Sequence, residues 1–465
     1  MQLFNSMSGR KETLEVNDNT VRIYACGPTV YNFFHIGNGR AFTVYDVLRR
    51  YLQYKGYNVN FVQNFTDVDD KIINKANEEG IGFSDVSKKY IAEYFTDADG
   101  LNIQRATTHP LATENIQQII DIVATLVEKG HAYVLDNDVY FRVRSFADYG
   151  QLISQSIDDL SSGARINVDE RKEDALDFAL WKGAKEGEPS WPSPWGNGRP
   201  GWHIECSAMA KRYLGDTIDI HCGGSDLRFP HHTNEIAQSE CANGCKFSKM
   251  WFHVGFVNVN NEKMSKSKNN FFTVRDLAAV YGYEPLRYFA ISAHYRSPIN
   301  YEPDLIIQAK ASLDRLYNCA DNLDFLASSA PETGITDEEN EVLAKFDVFR
   351  ARFEENMDDD LNTANALSVL FEFVREINST VADSKYSKEF YVKLKSLFMA
   401  LASALGLLYN QGKSTLEDEV EKLIEERQQA RKSKNFARAD EIRDELKAKG
   451  IILEDTKDGV KWKMV

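Results

Sequence analysis

Two short segments of the chain combine small residues with basic side chains, a composition suited to binding phosphate. The first runs from His35 to Arg40 and contains Gly37 and Asn38. Glycine lets the backbone approach a ligand closely, and the unpaired N–H groups at a following helix N-terminus attract anions. The histidine adds a further hydrogen-bond donor. The segment predicts a triphosphate site, although a glycine turn with an incidental histidine has the same sequence.

The second segment is Lys263-Met264-Ser265-Lys266-Ser267. Two lysines among small hydroxyl residues can neutralise charge on a pentavalent phosphate. A lysine-rich surface loop is the commoner meaning of such a sequence. Because both segments occur in one chain, together they favour nucleotide chemistry.

The first segment lies in a predicted βαβ unit. Residues 21–26 are apolar-rich and predict a strand that ends before Gly27. From Ala41 onward apolar residues recur with helical spacing until Gly56, and residues 59–62 predict a second strand. This order of elements implies a parallel sheet with a right-handed crossover.

Further elements are predicted downstream. A helix runs from an N-cap at Thr113 to Gly130, and a hairpin covers residues 132–143. Residues 187–201 hold four of the eleven prolines and form a rigid connector, neither a helix nor a central strand. After residue 301 helical spacing returns and no proline follows Pro331, which predicts a helical bundle. The positions that define these helices are Leu305, Ala309, Leu313 and Leu316, then Leu367, Leu370, Phe371, Val374 and Ile377.

Composition places the chain among ordinary globular proteins. Its 465 residues carry a formal net charge of −15, and this length suggests about three domains. No apolar run of about 18 residues predicts a membrane span, and the polar N-terminal segment lacks the apolar core of a signal peptide. We therefore expect a cytoplasmic protein. The acidic balance argues against indiscriminate nucleic-acid binding but leaves room for a local basic patch.

The six cysteines are spread through a long chain, unlike the disulfide framework of a small secreted domain. Reduced cysteines are candidates for metal ligands. His231 and Glu235 are four residues apart, so on a helix they face the same way. No C-x-x-C pair accompanies them, and spacing alone does not reveal a metal site. Cys241 and Cys245 form a C-x₃-C pair, which is either a second zinc site or two ordinary thiols.

Longer motifs in a fixed order carry a family resemblance. They are Cys26-Gly27-Pro28-Thr29-Val30-Tyr31, Asn64-Phe65-Thr66-Asp67-Val68-Asp69-Asp70-Lys71, Gly201-Trp202-His203-Ile204-Glu205-Cys206-Ser207, Gly223-Gly224-Ser225-Asp226, Phe229-Pro230-His231-His232 with Asn234-Glu235, and Asp359-Asp360-Leu361-Asn362-Thr363-Ala364. With the two phosphate-binding segments, they resemble the class I aminoacyl-tRNA synthetases and, within them, the cysteinyl-tRNA synthetase family. The resemblance covers essentially the whole chain. The departures from the family's usual pattern are Asn38, Cys222, Thr233 and Lys268-Asn269.

The resemblance implies an α/β fold. A Rossmann-type parallel-sheet catalytic domain carries an insertion, and an all-α C-terminal helical bundle and a small C-terminal tRNA-binding region follow it. The expected boundaries are residues 1–113 and 201–300 for the two halves of the catalytic domain and 114–200 for the insertion. Residues 301–410 form the helical anticodon-binding bundle, and residues 411–465 form the small anticodon-recognition region.

The resemblance also implies one Zn²⁺ per chain, held by Cys26, Cys206, His231 and Glu235. Thiolate, imidazole and carboxylate are all zinc ligands, and this set with the metal carries a net charge of −1. Such a site is a poor hydrolytic Lewis acid but accepts a further thiolate. In the family the sulfur of the substrate binds the metal, which explains how serine is rejected without editing.

The implied reaction has two steps: L-cysteine and ATP form cysteinyl-adenylate, and the cysteinyl group then moves to the terminal adenosine of tRNA(Cys). His35, Gly37 and Asn38 contact the phosphates, with Mg²⁺ accompanying ATP. Lys263 and Lys266 stabilise the pentavalent phosphate.

Further roles follow from the same resemblance. Asp226 accepts hydrogen bonds from the ribose, although alone its Gly-Gly-Ser-Asp run is typical of a plain turn. Thr66, Trp202 and His221 belong to the amino-acid pocket. Without the resemblance, the first interpretation of Trp202 is that it belongs to the hydrophobic core.

The expected partners are tRNA(Cys), L-cysteine and ATP, with no membrane partner, and the expected state is a monomer. The basic stretch from Arg427 to Arg438 and the aromatic Trp462 are candidates for contact with the anticodon end. A solvated helix face explains the basic stretch equally well. A packing role explains Trp462 equally well.

Three other functions compete with this interpretation. A related ligase would pass activated cysteine to a small amino-sugar, but such an acceptor does not need a basic helical C-terminal third. A non-catalytic RNA-binding paralogue is disfavoured by the intact motifs. A zinc hydrolase is disfavoured by the negative metal site and by nucleotide motifs that have no hydrolytic role.

Overall fold

The computed structural model describes residues 1–163, 171–260, 262–263, 271–382, 385–411, 416–433, 435–448, 451–456 and 459–464. The chain forms two compact units, Met1–Tyr409 and Asn410–Val465. Among the described residues, no helix combines the length and the apolar character needed to cross a bilayer.

The first unit begins with an antiparallel ribbon and the expected βαβ unit. The elements are β1 (Gln2–Asn5), β2 (Arg10–Thr13), β3 (Thr20–Ala25), α1 (Ile36–Tyr54), β4 (Asn58–Gln63), α2 (Asp70–Glu79) and α3 (Phe83–Gly100). Strands β3 and β4 pair in parallel, and α1 is the crossover between them, which confirms the prediction. Val44, Val47 and Leu48 of α1 are buried in the main core because apolar residues recur on one face of the helix.

The insertion consists mainly of α4 (Ile116–Glu128), β5 (Ala132–Leu135), β6 (Asp138–Phe141), α5 (Ile157–Gly163), β7 (Phe178–Gly183) and β8 (Gly198–Pro200). Its four strands form an antiparallel sheet in sequence order, and β5 and β6 are the predicted hairpin. Thr113 is not the N-cap of α4. Its hydroxyl donates to Asp67 over 2.5 Å, and a 3₁₀ turn at Ala112–Asn115 precedes the helix. The proline-rich connector contributes only β8, at the edge of this sheet, where proline is tolerated.

The part of the chain from Trp202 to Tyr301 completes the parallel sheet. Its elements are α6 (Trp202–Leu214), β9 (Ile218–Gly224), α7 (His231–Asn243), β10 (Ser248–Val254), β11 (Val257–Val259), β12 (Glu262–Lys263), α8 (Val274–Tyr281), α9 (Tyr283–Ile291) and β13 (Ile299–Tyr301). The sheet order is β10–β9–β3–β4, and all three pairings are parallel. The carboxyl ends of the strands therefore meet at one edge, the usual ligand-binding edge of an open α/β sheet.

A helical bundle completes the first unit, with α10 (Pro303–Ser329), α11 (Asp337–Asp358), α12 (Thr363–Val381) and α13 (Lys388–Ala404). The predicted positions Ala309, Leu313 and Leu316 are buried, but Leu305 is 38% exposed and Ile306 takes its place in the core. The predicted face therefore begins one residue later than its spacing suggested.

The second unit contains α14 (Leu416–Lys432), α15 (Phe436–Ala448), β14 (Ile451–Thr456) and β15 (Gly459–Met464). The two strands form an antiparallel hairpin in which Leu453 stands opposite Trp462. Apolar spacing predicted a helical C-terminal third, and this hairpin was not predicted. This unit has a small hydrophobic core of its own, which contains Ile424, Ile442, Leu446 and Ile451.

Candidate functional site

A cavity of about 410 Å³ opens at the carboxyl edge of the parallel sheet. Its wall is built from the segments that follow β3, β4, β9 and β10 and from the N-terminal halves of α1, α2, α6 and α7. The predicted site residues that line it are Cys26, His35, Gly37, Asn38, Thr66, Trp202, Cys206, Asp226 and His231. Residues from six separate sequence motifs thus share one wall.

The His35 side chain acts first on its own helix. It caps α1, because its Nδ1 accepts the backbone N–H of Asn38 at 3.2 Å. In a neutral imidazole the other nitrogen then carries the proton, so Nε2 is a donor. The ring also meets Phe271 edge-on, with centroids 5.4 Å apart. The cap fixes the direction of this donor at the N-terminus of α1, where backbone N–H groups also favour an anion.

Gly27 lies where two chain segments cross closely. A Cβ at this position would be 1.6 Å from the carbonyl oxygen of Asn64. The Gly27 N–H donates to Oδ1 of the same asparagine at 3.0 Å. Only glycine permits this approach, which brings the segment after β3 against the segment after β4 and places Cys26 and Thr66 on the same wall.

Four buried side chains gather at the inner end of the cavity. One ligand atom from each of Cys26, Cys206, His231 and Glu235 lies within 4.8 Å of the others. Cys26 follows β3, Cys206 belongs to α6, and the other two lie one turn apart on α7. His231 Nε2 is 3.0 Å from Glu235 Oε1, and Cys26 Sγ is 3.6 Å from the same oxygen. The donor set fits a tetrahedral zinc site.

The electrostatics of this group are those of a charged cluster. Burial alone would raise the pKa of Glu235, but the neighbouring His221 and His231 lower it to about 2. Burial alone would lower the pKa of His231, but Glu235 raises it to about 10. The hydrogen bond from Cys26 lowers the pKa of Cys206 to about 6. The cluster therefore holds negative charge in a buried place, which a cation compensates.

A second layer of histidines, which was not predicted from the sequence, lies behind these four residues. His221 is fully buried and does not line the cavity; its Nε2 is 2.9 Å from Glu235 Oε2. The pocket position expected for His221 is therefore not the one observed. His232 Nε2 is 3.3 Å from Cys26 Sγ, and its Nδ1 is 2.9 Å from His253 Nε2.

A different choice of side chains also meets the geometric condition for a metal: Cys26, His221, His232 and Glu235. Neither His221 nor His232 lines the cavity, whereas Cys206 and His231 do. The group with Cys206 and His231 is the one that a ligand in the cavity can reach.

Two polar contacts fix the side wall of the cavity. The Thr66 hydroxyl donates to Glu205 Oε2 at 2.8 Å, and both residues are buried. Burial raises the pKa of Glu205 well above its usual range. Trp202 is 39% exposed and stacks on His231 with ring centroids 4.3 Å apart. Trp202 is thus a wall residue at the cavity and not a core residue.

Several predicted features lie elsewhere. Lys266 falls outside the described residues, and Lys263 ends the short strand β12. Cys241 is buried and Cys245 is exposed. Within the part of the chain that the structure describes, neither belongs to a group able to hold a metal ion.

The basic stretch at 427–438 is not a continuous cationic face. Arg427 is only 7% exposed. Arg438 pairs with Glu426 at 2.9 Å and with Glu441 at 2.8 Å. The stretch was predicted from a run without acids, but Arg438 pairs with Glu426 of the neighbouring helix α14 and with Glu441, three residues further along α15.

Comparison with known proteins agrees with this geometry. A family model described as the tRNA synthetases class I (C) catalytic domain matches residues 12–311. Models for a DALR domain and for a cysteinyl-tRNA ligase anticodon binding domain match residues 352–409 and 413–462. A cysteine–tRNA ligase of Lachnospira eligens is 54% identical over 470 residues, covering 99% of each chain. The chain belongs to the cysteine–tRNA ligase family. A relative from Clostridioides difficile with the same name is 53% identical over 100% of both chains.

Solved structures of more distant synthetases share the fold. A Mycobacterium tuberculosis methionyl-tRNA synthetase with methionyl-adenylate has a TM-score of 0.61 at 14% identity, covering 83% of this chain and 89% of that one. A LeuRS from Agrobacterium radiobacter has a TM-score of 0.62 at 12% identity, with 83% and 84% covered. These likenesses confirm the α/β class I fold. Together with the family match they make the chain a class I aminoacyl-tRNA synthetase, an enzyme.

Proposed function

We propose that this enzyme activates L-cysteine with ATP, forms cysteinyl-adenylate and transfers the cysteinyl group to the 3′ end of tRNA(Cys). One observation carries the proposal. A buried group of two thiols, an imidazole and a carboxylate opens into the same cavity as the His35-to-Arg40 segment. A thiol-selective site beside a phosphate-binding helix N-terminus suits cysteine activation.

The residues present fit a zinc ion. Cys26, Cys206, His231 and Glu235 would hold it, because two thiols, an imidazole and a carboxylate whose ligand atoms lie within 4.8 Å of one another are an ordinary zinc donor set. When bound, the ion supplies a soft Lewis acid that takes a thiolate far more readily than a hydroxyl. The site therefore favours cysteine over serine, a distinction that an apolar pocket makes poorly.

The remaining cavity residues act on the nucleotide. His35 donates from Nε2 to a phosphate oxygen, and Asn38 at the start of α1 adds its amide. Asp226, in the 3₁₀ turn after β9, accepts from the ribose hydroxyls. Lys263 and Lys266 neutralise the charge that grows on the α-phosphate, and Mg²⁺ accompanies ATP. Catalysis of this kind rests on positioning and charge stabilisation, without a covalent enzyme intermediate.

The second unit recognises the anticodon end of the tRNA. The match of residues 413–462 to an anticodon binding domain supports this role. The same match disfavours the ligase with a small amino-sugar acceptor, because that acceptor has no anticodon. We further propose a cytoplasmic monomer.

The deciding experiment is charging of total tRNA by the zinc-loaded enzyme, with cysteine and serine compared side by side. We expect cysteine to be attached and serine to be left. Charging of both would contradict the role of the metal in selection. Cysteine-dependent ATP–pyrophosphate exchange without any charging would instead favour the small-acceptor ligase.

A further inference from the structure

Lys71 is a cavity residue to which the proposed function gives no role. It lies in the first turn of α2, five residues after Thr66, and its side chain lines the cavity. The residue is exposed, in contrast to the buried Cys26 and Thr66. It therefore stands at the rim of the cavity and not on its floor.

The ammonium group of Lys71 has an aromatic neighbour. Its Nζ lies 5.6 Å from the ring centroid of Tyr31, another residue of the wall. A cation over an aromatic face is attracted without losing its charge. The contact restrains a long side chain at the rim and leaves its positive charge available to a ligand.

The two acids that precede Lys71 are occupied with other partners. Asp69 is the N-cap of α2 and accepts the backbone N–H of Lys71 at 2.9 Å. Asp70 pairs with Lys182 of β7 at 2.9 Å and with Arg199 of β8. Over the described residues, no carboxylate lies within ion-pair distance of Lys71 Nζ. A cation without an anionic partner at a cavity rim is suited to a phosphate.

The position of Lys71 suits one ligand better than the others. The ATP phosphates already have His35, Asn38 and the N-terminus of α1. The substrate amino acid is expected deep in the cavity, beside buried residues. An RNA 3′ end must enter from solution across the rim, and its backbone phosphates are the anions that arrive there.

We propose that Lys71, braced by Tyr31, binds a backbone phosphate of the 3′-terminal nucleotides of the acceptor RNA during transfer. The inference rests on the proposed function and extends it, because it assigns a rim residue to the second half-reaction. A single ammonium neutralises one phosphate, so its contribution is independent of sequence and weakens with salt.

The test compares K71Q and K71R with a control on the same helix, K75Q. Lys75 pairs with Glu79 at 3.1 Å and does not line the cavity. Two quantities are measured: cysteine-dependent ATP–pyrophosphate exchange without tRNA, and single-turnover transfer from preformed adenylate to tRNA over a range of salt. Thermal melting of the three variants confirms that they are folded.

For K71Q we expect exchange within about twofold of the wild type and a fall of about tenfold in transfer efficiency, with a salt slope smaller by about one. K71R should recover most of the transfer, and K75Q should match the wild type. An equal loss of exchange and transfer in K71Q would overturn the proposal, because Lys71 would then contact cysteine or ATP. Unchanged transfer in K71Q would overturn it as well. A wild type that does not charge tRNA would overturn the proposed function itself.

Discussion

His221 Nε2 lies 2.9 Å from Glu235 Oε2, and both side chains are fully buried. The other carboxylate oxygen, Oε1, faces His231 at 3.0 Å. The carboxylate is thus held from behind by one imidazole while it presents its second oxygen to the candidate metal site. His221 is a positioning residue, because it acts on the site through Glu235.

Replacing His221 should weaken zinc binding without removing a ligand. In H221F the carboxylate loses its partner, and loss of an outer hydrogen bond of this kind lowers metal affinity by about 10- to 100-fold. H221Q places an amide nitrogen near the position of Nε2 and should retain most of the affinity. Zinc affinity is measured by competition with a chromogenic chelator. If H221F bound zinc as tightly as the wild type, the hydrogen bond between His221 and Glu235 would not contribute to metal affinity.

Removing a ligand should have a larger effect. C206S replaces a thiolate by a hydroxyl, a much poorer zinc ligand, so the purified variant should lose stoichiometric zinc and cysteine-dependent exchange. Metal content is measured by atomic emission. The matched control is C245S, whose thiol is exposed and outside the cluster. Stoichiometric zinc and normal activity in C206S would contradict the assignment.

The sequence predicted those parts of the fold that depend on local periodicity. The βαβ unit from β3 to β4 follows from apolar spacing and a glycine stop. The 3₁₀ turn before α4 could not be predicted in this way, because Thr113 bonds to Asp67, a residue 46 positions away. The hairpin at the C-terminus was missed although residues 460–464 of β15 alternate apolar and charged side chains, a strand signal; its partner β14 begins with three apolar residues and does not alternate.

The candidate site depends on contacts between distant residues even more than the fold does, so less of it could be predicted from local sequence. Cys26 and Cys206 are separated by 180 positions, so only the family resemblance joined them before the fold was known. The histidine layer could not be predicted from local sequence, because its members His221, His253 and His232 lie on β9, β10 and α7, which become neighbours only in the fold. The pair His231-His232 was the one visible signal, since adjacent helix residues point to different sides.

A buried ion pair ties α9 to α1. Arg287 donates to Asp46 at 2.6 Å and to the Leu405 carbonyl at 2.9 Å, and the arginine and the aspartate are both buried. R287M removes one of the two guanidinium partners of this buried carboxylate, which keeps Arg50 at 2.6 Å, and should cost about 1.5–3 kcal/mol of unfolding free energy. Urea denaturation measures this loss. The control K55M breaks only partly exposed ion pairs and should cost less than about 1 kcal/mol.

Deletion of the chain after Lys413 should separate the two activities. The first unit keeps the cavity and its own core, so cysteine-dependent exchange should persist. The apparent KM for tRNA should rise, because the part of the chain that matches an anticodon binding domain is gone. Equal loss of exchange and charging would mean that this region serves stability instead.

His109 should make stability depend on pH in a defined direction. Its Nε2 accepts the Ala106 N–H at 3.0 Å and its Nδ1 lies 2.9 Å from the Gln63 carbonyl, an arrangement that needs the neutral ring. Burial lowers its pKa to about 4, against about 6.5 in the unfolded chain. The unfolded state therefore binds a proton first, so this stability is complete above about pH 6.5 and is lost as the pH falls toward 4.

The H109Q variant isolates this contribution, because glutamine does not titrate. The difference in unfolding free energy between the wild type and H109Q should shrink by about 1 kcal/mol from about pH 7.5 to about pH 5, roughly half the unscreened value since the ring is partly exposed. Urea titrations at both pH values measure it. Other buried histidines contribute equally to both proteins and cancel. A difference that stays constant with pH would show that His109 titrates alike in the folded and unfolded chains.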